Sequence, residues 1–198
     1  MNNHEKEFEE ISDTLVTAYQ NWEIWWLYKN KRPKYVQIMN YYLQFFSNSL
    51  YAHWVTTIMS IWCLIDDKNL SLINFYKKVC SENVLSTSGK KEIDARLNDI
   101  AYIIKGIKII RHNVVAHISN NIDSEDAFKI ANLTHNDIRD VIVELGNIFN
   151  RIRVAYGKNQ LGFYMNSSKG DTEKLLTDLK QNNSKKCLSS SSSRPHLS

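Results

Sequence analysis

Ile109-Ile110-Arg111-His112-Asn113-Val114-Val115-Ala116-His117 closes the stretch whose reading decides the fold of this chain. Ahead of it Ile93, Leu97, Ile100, Ile104 and Ile107 recur in three- and four-residue steps and continue to Ile110 or Val114. That spacing lays an apolar stripe along one face of a helix. The periodicity predicts a long helix from about Lys90, with Ser119-Asn120-Asn121 as its stop. Gly106 inside it costs ~1 kcal/mol relative to alanine, a cost that close helix packing explains.

Working outward, the same period recurs through most of the chain. Phe8, Ile11, Leu15, Ala18 or Tyr19, Trp22 and Trp25 or Trp26 form a first stripe. Glu5, Glu7, Glu9 and Glu10 at its start suit the positive end of a helix dipole, and Lys29 to Pro33 reads as its basic stop and loop. A second helix is expected from Tyr35 or Val36 to Ile65, bent near Ser47-Asn48-Ser49. Ser71 suits the cap of a short third helix carrying Leu72, Ile73, Phe75, Tyr76 and Val79. Ser81 to Gly89 reads as a polar loop. A last core helix is expected from Thr134 through Ile138, Ile142, Leu145, Ile148, Ile152 and Ala155, ending at Gly157. After Met165 the chain turns polar, with a weak helix around Thr172 to Gln181 and a run of serines from Ser189 to Ser193. The expectation is an all-α, up-and-down bundle of about five helices. Residues 1–165 would form the domain and 166–198 a Ser-rich, basic and mostly disordered tail.

Only six glycines and two prolines occur in 198 residues, which disfavours a many-turned β architecture. The net charge is +4, but six cations and three acids lie from Asn166 onward, so the helical part is close to neutral. Strong overall attraction to nucleic acid is therefore not indicated, and RNA affinity would need a local patch. Cys63, Cys80 and Cys187 have neither close pairing nor metal-ligand spacing. Cys63 in its apolar run reads as a buried free thiol, and a reducing cytoplasm as the location. Met1 to Glu7 reads without the basic and apolar parts of a signal peptide. Tyr35 to Ile65 contains no Asp, Glu, Lys or Arg, yet its more apolar part, Leu50 to Ile65, is shorter than the ~20 residues a spanning helix needs and is interrupted by His53. No membrane span is expected.

The chemistry-bearing residues gather in the opening stretch. Asn113 and His117, four apart, share a helix face, whereas Arg111 and His117 differ by about 120° in direction and ~9 Å in rise. Arg111 meets His117 only if its side chain reaches toward the helix end or the last turn distorts. An arginine stabilises a phosphorane and a histidine moves protons near neutral pH, which suits RNA cleavage through the ribose 2′-hydroxyl. Lys105, Lys108, Arg111 and His112 add a basic band that could hold phosphates. A solvated helix face with a histidine near its C-terminus carries the same residues for no catalytic reason.

Arg111-His112-Asn113-Val114-Val115-Ala116-His117 resembles the R-x5-H motif of HEPN (higher eukaryote and prokaryote nucleotide-binding) domains. Upstream, a long aromatic-rich helix ends in Cys63-Leu64-Ile65-Asp66, followed by Leu70-Ser71-Leu72 and a short helix. This order is similar to the abortive-infection, AbiU-like branch of that family across roughly Phe8 to Tyr156, although many relatives carry an arginine where this chain has Cys63. The resemblance implies a homodimer whose paired motifs form a composite, metal-independent endoribonuclease site that needs no cofactor. It assigns catalysis to Arg111 and His117 and puts His112 at the motif's polar position. Asn113, on the His117 face, and Asp66 are read as supporting residues, and Lys105 and Lys108 of the basic band as RNA contacts. The resemblance also implies a role in phage defence or as a toxin, with an antitoxin or defence-system partner. A non-catalytic module binding RNA or a partner protein is the alternative.

Trp22, Trp25 and Trp26 could stack bases, but a core or dimer seam is the better account of them. His53 reads as a buried, hydrogen-bonded histidine. Asp66 and Asp67 do not by themselves define a metal site, and none is assigned. The sequence has no glycine-rich phosphate loop or dinucleotide fingerprint.

Overall fold

The computed structural model describes residues 4–68, 70–112, 124–162 and 167–191. They form eight helices: α1 (Glu5–Tyr41), α2 (Leu43–Ile65), α3 (Leu72–Ser81), α4 (Thr87–Asp99), α5 (Ala101–Ile110), α6 (Ser124–Ala131), α7 (His135–Ala155) and α8 (Ser167–Ser191). There is no strand among the described residues. The all-α expectation stands, while the count of about five helices is too low, for reasons found at particular residues.

Pro33 does not stop α1. A proline inside a helix costs ~3 kcal/mol through a lost hydrogen bond and a clash. The residues on either side of it are held by a second apolar cluster, in which Tyr28, Tyr35, Ile38, Met39, Phe46 and Leu176 are all buried. Each such side chain contributes ~1.5–3 kcal/mol, so packing outweighs the break. The chain turns instead at Tyr42 (φ −109°, ψ 44°), and α2 runs back antiparallel to α1, with Phe46 against Tyr28 and His53 Nδ1 2.7 Å from Asn21 Oδ1.

The long helix expected from Lys90 is two helices meeting at Ile100 (φ −96°, ψ 3°). Arg96 on α4 pairs with Glu144 on α7 at 2.7 Å. Past the bend, a Cβ on Gly106 would lie 2.5 Å from Leu133 Cδ1, so α5 fits closely under the chain leading into α7. The change of direction lets successive halves of one apolar stripe meet different neighbours. The expected stop at Ser119-Asn120-Asn121 lies outside the described residues.

Several starts and stops fall where the residues predict. Ser71 Oγ accepts the Asn74 amide at 3.1 Å and caps α3. Thr134 and Asp137 form a reciprocal capping box on α7, with bonds of 3.2 and 2.6 Å, and Gly157 takes φ +69° after its end. The polar loop expected up to Gly89 is shorter, because Ser86 already caps α4 by accepting the Gly89 amide.

Helix α6 was not anticipated. It buries Ala127, Phe128 and Ala131, and its chain leaves through Asn132 at φ 52°, with the Leu133 amide bonded to Phe128 O. Asparagine is among the few residues that take this left-handed turn at modest cost. Helix α8 contains the helix expected around Thr172 to Gln181 and extends it in both directions. Leu176 is fully buried against α1, and the Thr177 and Tyr35 hydroxyls lie 2.9 Å apart.

The main core joins α1 through α7, with Ile93 as the contribution of α4. Trp22 and Trp25 lie inside it and Trp26 packs on its edge, so these indoles serve the core. Cys63, expected to be buried, is exposed and lines a groove between α1 and α2 with Asp13, Thr17 and Met59. It falls on the flank of α2 turned away from the core, which an apolar run alone does not reveal. No helix among the described residues is long and apolar enough to cross a membrane.

Candidate functional site

Two helix ends converge to make a cleft between α2 and α5. The last turn of α2 supplies Trp62 and hands over to Asp66, whose amide bonds to Trp62 O at 2.8 Å. Helix α5 supplies Lys105, Lys108 and Ile109, and the chain beyond its end supplies Arg111 and His112. Together with Asp67 and Lys68 these residues line a cleft of about 660 Å³.

The local sequence explains this placement. On α5, Ile103, Ile107 and Ile110 are buried, so Lys105, Lys108 and Ile109 face outward. Lys105, Lys108 and His112 follow three- and four-residue steps and share one side. Arg111 follows directly on α5 with α-region dihedrals (φ −56°, ψ −46°), its amide bonding to Ile107 O.

Arg111 is held in an unusual way. Its guanidinium carbon stands 4.5 Å from the centre of the Trp62 ring. Its Nε is buried without a hydrogen-bond partner, and no carboxylate among the described residues pairs with it. A stack of this kind contributes ~2 kcal/mol when desolvated, and it does so without neutralising the cation. Asp66 is the buried acid of the cleft, 8% exposed, with Oδ1 accepting the Lys68 amide at 3.3 Å. Four permanent cations (Lys68, Lys105, Lys108, Arg111) thus line the cleft against two carboxylates (Asp66, Asp67). That excess favours an anion although the whole chain is only mildly basic.

Five of the residues singled out in the sequence therefore meet at one place: Arg111, His112, Lys105, Lys108 and Asp66. Asn113 and His117 lie outside the described residues. Trp62 and Lys68 were not singled out, and Asp67 was weighed only beside Asp66 as a metal ligand. Trp62 carried a readable signal, since it is four residues before Asp66 and so shares its helix face. His53 is half-buried and away from this cleft, and burial holds its imidazole below the ordinary histidine value. No group of three or more potential metal ligands occurs among the described residues.

The fold is thus a helical bundle with Arg111 at the end of one core helix, facing the acidic end of another. The chain belongs to the AbiU2 family of HEPN proteins, whose family model (HEPN_AbiU2) matches residues 1–175. That match spans both walls of the cleft, the whole Arg111 to His117 motif and the start of α8. No curated protein and no solved structure matches the chain.

Proposed function

We propose that this protein is a metal-independent endoribonuclease of the HEPN type, acting in phage defence or as a toxin. The observation that carries the reading is Arg111, set in a cationic cleft and paired with no carboxylate among the described residues. Family membership supports assigning His117 as its partner in the chemistry.

In the proposed reaction the ribose 2′-hydroxyl attacks the adjacent phosphorus and gives its proton to a base. The bond to the 5′-oxygen breaks, and an acid protonates that oxygen as it leaves. The products are a 2′,3′-cyclic phosphate and a 5′-hydroxyl. His117 transfers protons and Arg111 stabilises the charge on the phosphorane. Lys105 and Lys108 hold flanking phosphates, while His112, Asn113 and Asp66 shape the site. One such histidine per chain cannot be acid and base in the same step, so a two-fold homodimer with facing motifs supplies both.

Expression in a bacterial host tests this reading. The wild-type chain should arrest growth and fragment cellular RNA, whereas His117→Ala should do neither while remaining a dimer. Equal toxicity of the two proteins, with intact RNA, would contradict it.

A further inference from the structure

An arginine that works on a phosphate must be held in place and yet left charged. A carboxylate partner achieves the first at the expense of the second, because it occupies the donors and offsets the charge. An aromatic face holds the guanidinium by its flat side and leaves the N–H edge to another partner. In this chain the second arrangement occurs, although Asp66 and Asp67 line the same cleft.

We propose that Trp62 is a positioning residue whose indole holds the Arg111 guanidinium at the cleft wall, charged and available to an RNA phosphate. This rests on the RNA reading above for the identity of the anion. The contact spans two helices, since Trp62 sits on the last turn of α2 and Arg111 just past α5. It therefore fixes the arginine relative to the opposite wall. Asp66, one turn further along the same face, is bonded to the Lys68 amide. The indole thus meets Arg111 while the neighbouring acid is engaged elsewhere.

Two readouts separate this claim from the RNA reading. The first needs no RNA. In the wild type the Arg111 Nε–Hε proton resonance should be shifted upfield by the ring current of Trp62. Trp62→Phe should keep part of that shift, and Trp62→Leu should bring it to the ordinary arginine position. A wild-type resonance at the ordinary position, or one unchanged in Trp62→Leu, would overturn the proposal whatever the protein does to RNA.

The second readout is affinity for a 2′-O-methyl RNA oligonucleotide, which lacks a free nucleophile and stays intact. Trp62→Leu should weaken binding about tenfold, with Trp62→Phe near wild type. In an Arg111→Ala background Trp62→Leu should cost nothing further, because the residue acts through the arginine. A further loss in that background would show a direct or purely structural role and would overturn positioning. Absence of binding by a wild type with the shifted resonance would sink the RNA reading and leave the positioning contact standing. Melting temperatures of Trp62→Phe and Trp62→Leu show whether a lost signal reflects an unfolded protein.

Discussion

Arg111 differs from an arginine on a solvated face because its immediate surroundings are an aromatic ring, a buried Nε and a cleft rimmed by lysines. Charge alone would then not replace it. Lysine keeps the charge but lacks the planar fork and stacks less well, so Arg111→Lys should lower RNA cleavage about as far as Arg111→Ala, by ~10²-fold or more. Cleavage rates of the two variants check this, and near-normal activity of the lysine variant would contradict it. His53 supports a different prediction. Burial lowers its pKa in the folded state, so the unfolded chain takes up the proton first as pH falls. Its stabilising contribution is complete above the ordinary histidine value and is lost as pH falls through that value and the lowered one. Melting temperatures between pH 7.5 and 5 should therefore fall less steeply for His53→Gln than for the wild type. At this scale the sequence was legible where chemistry follows helical spacing, as for Lys105, Lys108, Arg111 and His112. Trp62 became visible only when α2 and α5 were brought together, since no period links residues on different helices.

Among elements, local capping signals were sufficient where side chain and backbone agree. Ser71, Thr134 and Gly157 marked the limits of α3 and α7 because each satisfies backbone groups next to it in the chain. Pro33, Ile100 and the short α6 were illegible for the opposite reason, since tertiary packing overrides or creates each of those boundaries. Gly106 tests how tightly α5 is held. Alanine there should raise helix propensity by ~1 kcal/mol yet meet Leu133, which is itself buried, and overpacking of this kind costs ~1–3 kcal/mol. Gly106→Ala should therefore be less stable than the wild type in a denaturant titration. A more stable variant would mean that Leu133 gives way freely. Leu176 tests the docking of α8. Truncation to alanine should cost ~2–3 kcal/mol and speed hydrogen exchange in α8 and the Pro33 region of α1. Unchanged exchange there would show that α8 is not fastened to α1 through this side chain.

At the level of the whole molecule, net charge is a poor guide to what the protein binds. The +4 of the chain is modest, yet four permanent cations are gathered at one cleft between two helix ends. Local charge of this kind makes binding salt-dependent without making the entire surface adhesive. The bundle supplies two rigid walls, and the proposed two-fold dimer supplies a second histidine. The central claim is tested most directly by incubating purified wild type, Arg111→Ala and His117→Ala with mixed cellular RNA in EDTA and mapping the fragment ends. The account predicts fragments bearing 2′,3′-cyclic phosphates from the wild type and none from either folded variant. Intact RNA with all three proteins, or equal cleavage by all three, would contradict it.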